Sequence, residues 1–83
     1  MELIETVAMM GSMDYKERFK AEVYQLDIRI AKLTNMLSLY EGGSLGFVPA
    51  CSYDLLSAQL DSMKLYRYFL QKRADIEGVL LYE

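Results

Sequence analysis

The residues of this chain best suited to bind a ligand are cations that stand beside tyrosines. Lys32 and Thr34 flank Leu33 in one helix-like stretch. Arg73 lies in another, near further aromatic and basic residues, Tyr66, Tyr68 and Lys72. Lysine attracts phosphate as a point charge and arginine can add a bidentate pair, whereas tyrosine stacks on bases and hydrogen-bonds to phosphates. The combination is compatible with a site for a small anion.

A structural interpretation of the same cations remains open. Lysine and arginine often flank apolar seams because their stems cover apolar surface while their charged heads reach water. The seven tyrosines of the chain favour the ligand-binding interpretation only slightly. The residue types are therefore compatible both with a ligand site and with cations that only cover apolar surface.

Motifs for catalysis are almost absent. The chain has no histidine and a single cysteine, Cys51, so it offers neither a histidine general base nor a zinc site of the ordinary ligand types. Cys51 could be a reactive thiol, but half-buried packing in a loop is the interpretation we favour. The glycines of the stretch 42–46 fit a helix stop better than a phosphate cradle, because no Lys-Ser/Thr pair follows them. We predict a protein that is not an enzyme and uses no metal or cofactor.

The net charge of −3 is unevenly distributed. Between Tyr15 and Arg73 the sequence holds nine basic and six acidic residues, whereas both ends are acidic. The overall acidity argues against a protein that coats DNA, but it allows a compact site for a small anion. The acidic start and the lack of a long apolar run predict a soluble, cytoplasmic protein that does not enter a membrane.

Two long stretches, about Tyr15–Tyr40 and Tyr53–Glu77, have the periodicity of amphipathic helices. The pattern divides the chain into an N-terminal segment or short helix over residues 1–13 and a single helical-hairpin domain over residues 14–83. The length of the chain is too small for a second core.

The predicted helix ends have local signals. Asp14 and Ser52 are suited to cap the two starts, and Glu17 would complete a capping box with Asp14. Glycines end the helices, with Gly42 after the first and Gly78 after the second.

Each helix carries more apolar surface than one hairpin partner can cover. The first has a seam at alternating spacings of four and three, Phe19, Val23, Leu26, Ile30, Leu33, Leu37 and Tyr40, and a second row, Tyr24, Ile28, Ala31 and Leu39. The second has an inner seam, interrupted by Arg67, and a second stripe, Leu55, Leu65, Phe69 and Ile76. A small chain without disulfides or metal needs partners for stability, so the surplus predicts a homo-oligomer.

The connecting segments are too apolar for simple solvated linkers. Leu45, Phe47 and Val48 are expected to fold back and plug one end of the bundle. The tail over residues 79–82 is expected to dock on a neighbour. The expected fold is an all-α antiparallel two-helix hairpin, with or without a short N-terminal helix, that assembles into a helical homo-oligomer.

An antiparallel hairpin also constrains where the candidate site residues meet. Arg73 would neighbour the region Tyr15–Phe19 rather than Lys32 of its own chain. A site that uses Lys32 and Arg73 together would have to be built across subunits; otherwise the two cations belong to separate sites.

Two sequence blocks resemble a known family. The first is Tyr-Lys-Glu-Arg-Phe-Lys-Ala-Glu-x-x-Gln-Leu-Asp-x-Arg-Ile-x-Lys-Leu over Tyr15–Leu33. The second is Leu-Leu-x-x-Gln-Leu-x-x-Met-x-x-Tyr-x-x-x-Leu-x-x-Arg over Leu55–Arg73. Together they resemble small helical bacteriophage proteins, found in crAss-like and other gut phages, that are related to the anti-CBASS cyclic-oligonucleotide sponges.

The resemblance implies a compact helical hexamer. Such a protein binds cyclic di- or trinucleotide second messengers, or related signalling nucleotides, in the host cytoplasm and deprives defence effectors of their signal. The family's dinucleotide site uses a lysine that falls on Lys32, and Tyr15 is the candidate for its aromatic partner. The trinucleotide site uses a threonine and a late arginine that fall on Thr34 and Arg73. The loop between the helices is longer and more apolar than the charged loop of the sponges.

Two rival functions remain open at this point. The chain could be a helical interaction module whose second apolar faces bind and inhibit a host defence protein directly. It could also be a structural phage component without a ligand.

Overall fold

The computed structural model describes residues 2–82, and every regular element in that range is helical. A 3-10 turn, Leu3–Thr6, leads into a single α-helical turn, α1 (Val7–Met10). Two long helices follow, α2 (Tyr15–Glu41) and α3 (Tyr53–Glu77). They pack against each other as an antiparallel hairpin, which confirms the predicted all-α hairpin with a short N-terminal helix. Met1 and Glu83, the outer ends of the two predicted segments, lie outside the described residues.

Local side-chain contacts fix the starts of both long helices. The Asp14 carboxylate accepts a hydrogen bond from the backbone N–H of Lys16 at 2.9 Å, and the Ser52 hydroxyl accepts one from Leu55 at 3.2 Å. Both predicted caps are thereby confirmed. The second half of the predicted capping box, a hydrogen bond from the Asp14 N–H to Glu17, is wrong. The Asp14 N–H instead donates to the Ser12 hydroxyl oxygen. The Glu17 carboxylate accepts a hydrogen bond from that same hydroxyl at 2.8 Å.

The core is concentrated at one end of the hairpin. Its buried members come from α2, α3 and the tail, and they are Phe19, Val23, Tyr24, Leu26, Leu70, Ala74 and Val79. The predicted α2 seam is therefore buried over its first half. Further along, Ile30 and Leu33 are half-buried, Leu37 is buried and Tyr40 is exposed. The N-terminal segment and the tail both pack beside the first half of α2.

The N-terminal segment closes one face of α2. Thr6 is fully buried, and its hydroxyl donates to the Leu3 carbonyl at 2.6 Å while it accepts from the Gln25 amide at 2.8 Å. A buried hydroxyl without partners would be costly, so these two bonds define where the segment lies on the helix.

The C-terminal tail folds back onto its own chain, so the prediction that it docks on a neighbour is wrong. Gly78 has φ +73°, a left-handed conformation that reverses the chain after α3. Val79 is then buried, and the Tyr82 ring lies 4.5 Å from that of Tyr24. The Tyr82 N–H also donates to the Tyr24 hydroxyl at 3.0 Å. The tail thus covers part of the second apolar row of α2.

Arg67, the cation that interrupts the inner seam of α3, is paired across the hairpin. Its Nε donates to an Asp27 carboxylate oxygen at 2.7 Å, and the Tyr82 hydroxyl donates to the other oxygen at 2.7 Å. One carboxylate therefore links α2, α3 and the tail. The ion pair is only partly exposed, so it satisfies a charge that the apolar seam would otherwise leave unpaired.

The tail tyrosine makes the stability of the fold sensitive to alkaline pH. Partial burial and the hydrogen bond to Asp27 raise the pKa of Tyr82 to about 12, from an ordinary value of 10.0. Because the folded-state pKa is raised, the contribution of the protonated tyrosine is complete below the unfolded-state pKa. It is lost as the pH rises from about 10 through about 12.

We expect the free energy of unfolding of the wild type to fall more steeply than that of Tyr82→Phe over this interval. The phenylalanine keeps the ring contact with Tyr24 but has no hydroxyl to ionise. Urea unfolding of both proteins at about pH 8 and about pH 11 measures the difference. Equal losses of unfolding free energy in the two proteins would contradict the raised pKa of Tyr82 in the folded state.

Two predictions about the loop between the long helices are wrong. Phe47 and Val48 do not plug the bundle, since 60% and 91% of their surfaces are exposed, although Leu45 is half-buried. Cys51 is exposed instead of half-buried. The rings of Tyr40 and Tyr53, 5.4 Å apart, close that end of the hairpin instead. The helices thus supply their own closing contact and leave Phe47 and Val48 exposed to solvent.

The second stripe of α3 is uncovered in the single chain. Its members Leu55, Leu65, Phe69 and Ile76 are all exposed, with 56% of Leu65 and 54% of Phe69 accessible. The N-terminal segment and the tail both pack on α2 and leave this stripe open. The surplus apolar surface predicted for α3 is therefore present.

Candidate functional site

Tyr15 and Arg73 meet at the open end of the hairpin, as the antiparallel arrangement predicted. Arg73 Nη2 donates to the Tyr15 hydroxyl at 2.8 Å, and that hydroxyl donates to Glu77 Oε1 at 2.8 Å. Arg73 Nε also donates to Glu77 Oε2 at 3.3 Å. The start of α2 and the end of α3 thereby hold a cation, a phenol and a carboxylate in one cluster.

The guanidinium of Arg73 also lies over an aromatic ring. Its Cζ is 4.9 Å from the centroid of Phe19, within the range of a cation–π contact. Partial desolvation lowers the pKa of Arg73, but hydrogen bonds to Tyr15 and Glu77 outweigh that effect and raise it above its ordinary value. The side chain is therefore a permanently charged group in a defined orientation.

An open cleft of about 440 Å³ surrounds this cluster. We call it the Arg73 cleft, and its walls are Met10, Tyr15, Arg18, Phe19, Glu22, Gln25 and Arg73. The Tyr66 hydroxyl donates to Glu22, and this bond raises the pKa of Tyr66. Arg18 donates to the Ser12 carbonyl at 2.7 Å. Both cations of the cleft thus have partners, and an anionic ligand would compete with Glu77 for Arg73.

Lys32 lines a second opening, between the middle of α2 and the first half of α3. We call it the Lys32 groove; its volume is about 530 Å³ and its walls are Leu26, Arg29, Lys32, Leu33, Met36, Leu56, Gln59 and Met63. The Lys32 ammonium lies 3.9 Å from a Glu2 carboxylate oxygen, with 62% of its side chain exposed. An exposed pair at that distance contributes little, so Lys32 remains available to a ligand.

The two openings lie along one side of the hairpin. Polar α2 residues that line them recur at alternating spacings of four and three, Arg18, Glu22, Gln25, Arg29 and Lys32, which places them on one helix face. Since a helix rises 1.5 Å per residue, Lys32 is roughly 25 Å along the axis from Tyr15. One chain therefore does not bring Lys32 and Tyr15 together.

Thr34 stands apart from the other candidates. Thr34 is exposed on α2. It lies nineteen residues from Tyr15, and this separation corresponds to nearly 30 Å along the helix. Tyr15 is the α2 residue that contacts Arg73. A site that combines Thr34 with Arg73 would thus require a second subunit, as the sequence argument anticipated for Lys32 and Arg73.

Sequence reasoning missed Arg29, which lines the same groove as Lys32. The signal was available, because residues three apart on a helix are neighbours and Arg29 precedes Lys32 by three. Glu77, the carboxylate that holds both Tyr15 and Arg73, was also missed. Its role depends on the distance between two helix ends, which no local pattern encodes.

No metal-binding group is evident over residues 2–82, where no three of the His, Cys, Asp and Glu side chains cluster suitably. None of the described helices combines the length and apolar character needed to cross a bilayer.

Comparison with known proteins supplies a family. No curated protein and no solved structure matches the chain. The sequence model of the Sequestin family matches residues 13–76, which is well over half of the chain and includes α2, the loop and nearly all of α3. The chain therefore belongs to the Sequestin family.

Proposed function

We propose that this protein binds cyclic oligonucleotides or related nucleotide immune signals and sequesters them without degrading them. On this proposal it is a phage counter-defence protein that acts in the host cytoplasm. Membership of the Sequestin family supports the general idea, since the family name is consistent with sequestration of a ligand or partner. The kind of ligand rests on the sequence resemblance and on the site chemistry.

One observation carries the proposal. Lys32 and Arg73, the two cations that the resemblance assigns to ligand binding, both line open clefts of the hairpin. Each is accompanied by surface suited to a base: Arg73 by the exposed ring of Tyr15, and Lys32 by an apolar floor. A protein that binds a nucleotide without reacting with it needs a cation for the phosphate and a flat surface for the base.

Assembly into a homo-oligomer, a hexamer by the resemblance, is part of the same proposal. The exposed stripe of α3 supports it, because the large apolar side chains of Leu65 and Phe69, one helical turn apart, are open to solvent, and adjacent exposed apolar side chains often mark a protein–protein contact. A two-fold interface could supply Lys32 from one subunit and Tyr15 from another to one site, which a single chain cannot do. Such an isologous site matches the symmetry of a cyclic dinucleotide.

Calorimetry with a panel of cyclic di- and trinucleotides tests the proposal. We expect saturable binding by the wild type. Lys32→Ala or Arg73→Ala should weaken it by roughly tenfold to a hundredfold, because each variant removes a charge-assisted contact to phosphate. Lys64→Ala is the matched control, since Lys64 lies on α3 outside both openings. Ligand recovered intact after denaturation distinguishes sequestration from degradation.

A wild-type protein that binds no member of the panel would contradict the proposal. If such a protein also formed a defined complex with a purified host defence protein through the α3 stripe, direct inhibition would replace sequestration as the function. Loss of affinity in the Lys64 variant equal to that in the Lys32 and Arg73 variants would indicate unspecific charge attraction.

A further inference from the structure

We propose that Arg29 is a second anion-binding side chain of the Lys32 groove. The groove would bind the phosphate of a nucleotide through Arg29 and Lys32, with the base on the apolar floor beneath them. This inference rests on the proposed function and deepens it, because it names a residue and a binding mode that the resemblance does not provide.

The position of Arg29 follows from helix geometry. Arg29, Lys32 and Met36 recur at spacings of three and four and so lie in a row on the α2 wall of the groove. Arg29 and Lys32 are adjacent in that row, at the separation where two side chains can reach one ligand group. The helix, not a mobile loop, therefore fixes both cations.

Arg29 differs from the other three arginines in its partners. Arg18 donates to a backbone carbonyl, Arg67 to Asp27 and Arg73 to Glu77. No hydrogen bond or ion pair joins Arg29 to any residue within 2–82. A planar guanidinium presents donors in a fork that matches phosphate, and here that fork is unused at the edge of a groove.

The charge lining the groove favours an anion. Among its wall residues Arg29 and Lys32 are positive and none is acidic. The Arg73 cleft, by contrast, includes Glu22, and Arg73 itself is paired with Glu77. A phosphate entering the Lys32 groove would meet two cations without displacing a strong internal partner, so this groove is the better anion site of a single chain.

The floor of the groove suits a flat, weakly polar group. Leu33, Met36, Leu56 and Met63 are half-buried and face the opening. Methionine side chains adapt to irregular shapes and are polarisable, which favours contact with a ring. Gln59, whose amide makes only a 3.9 Å contact to the Met63 sulfur, adds a donor and an acceptor at the rim for a base edge. These residues fit a nucleotide whose phosphate contacts Arg29 and Lys32 and whose base lies on the apolar floor of the groove.

Methionine-methyl NMR can locate the bound nucleotide. The protein is labelled with ¹³C-methyl methionine, and cyclic di-AMP and ADP are titrated as probes at fixed protein concentration. Met36→Leu and Met63→Leu assign the two groove signals. Met10, which lines the Arg73 cleft, reports on the other opening. We expect the Met36 and Met63 signals to shift on saturation, with the Met10 signal unchanged.

Affinity measurements on variants test the role of Arg29. Arg29→Gln should weaken probe binding by roughly tenfold or more, and Arg29→Lys by less, because lysine keeps the charge but loses the fork. Lys64→Gln, which removes the same charge outside the groove, should change affinity by less than about twofold. Arg29 is exposed, so circular dichroism should show these variants folded like the wild type.

Each other outcome overturns a distinct statement. If the probes bind but shift Met10 and leave Met36 and Met63 unchanged, the Arg29 proposal fails while nucleotide binding stands. Binding that Arg29→Gln leaves intact overturns the role of Arg29 alone. If Met36 and Met63 respond to protein concentration and not to probe, the groove is a contact between copies. If no nucleotide binds at all, the proposed function fails and the groove proposal with it.

Discussion

Phe69→Asp is expected to dissociate the proposed homo-oligomer into monomers and to abolish nucleotide binding at any site that two subunits share. Phe69 lies in the exposed α3 stripe. Burying a phenylalanine contributes about 1.5–3 kcal/mol per subunit, and burying an unpaired carboxylate in its place adds several more. The association constant should therefore fall by at least about a hundredfold. Sedimentation velocity at micromolar concentration measures the change.

A matched substitution separates the effect of the stripe from a general effect of added charge. Val48→Asp places the same carboxylate on a loop residue with 91% of its surface exposed, and it should leave the mass of the assembly unchanged. Leu65→Asp, one turn from Phe69, should repeat the dissociation. If the wild type sediments as a well-folded monomer, or if Phe69→Asp keeps the mass of the wild type, the oligomer proposal is wrong.

Leu70→Ala is expected to lower the free energy of unfolding by about 2–5 kcal/mol, the cost of removing a large buried side chain and leaving a cavity. Leu70 has 1% of its surface exposed and packs in the core cluster with Val23 and Ala74. The free energy of unfolding of a small domain is only about 5–15 kcal/mol in total, so this substitution should remove a large part of it.

Urea unfolding at one fixed protein concentration measures the loss, because the stability of an oligomer depends on concentration. Leu80→Ala makes the same truncation at a tail residue that is 61% exposed, and it should cost less than about 1 kcal/mol. Equal losses in the two variants would show that the hairpin end near Leu70 is not the core of the molecule.

The helices and their boundaries could be predicted because their determinants are local. The spacing of Phe19, Val23 and Leu26 requires one helix face to be apolar, and Ser52 can cap only the backbone that directly follows it. For the same reason Gly78 marked the end of α3, where its left-handed conformation is now seen. The meeting of Tyr15 and Arg73 also followed, since an antiparallel hairpin puts the end of α3 beside the start of α2.

The candidate site could be predicted less completely. The positions of Lys32 and Arg73 came from a resemblance between sequences, and the structure puts both residues on clefts. Their environments did not follow from the pattern. Whether a cation is engaged by a carboxylate, as Arg73 is by Glu77, depends on which side chains converge from different parts of the chain.

The sequence by itself determined two amphipathic helices, the points where they begin and end, and their antiparallel pairing. Only the tertiary structure decided what covers each face. The tail turned back to Tyr24 and Asp27 instead of reaching a neighbour. In the loop, Phe47 and Val48 stayed exposed while the rings of Tyr40 and Tyr53 met. Apolar burial is not directional, so a sequence shows how much apolar surface must be covered but not which segment covers it.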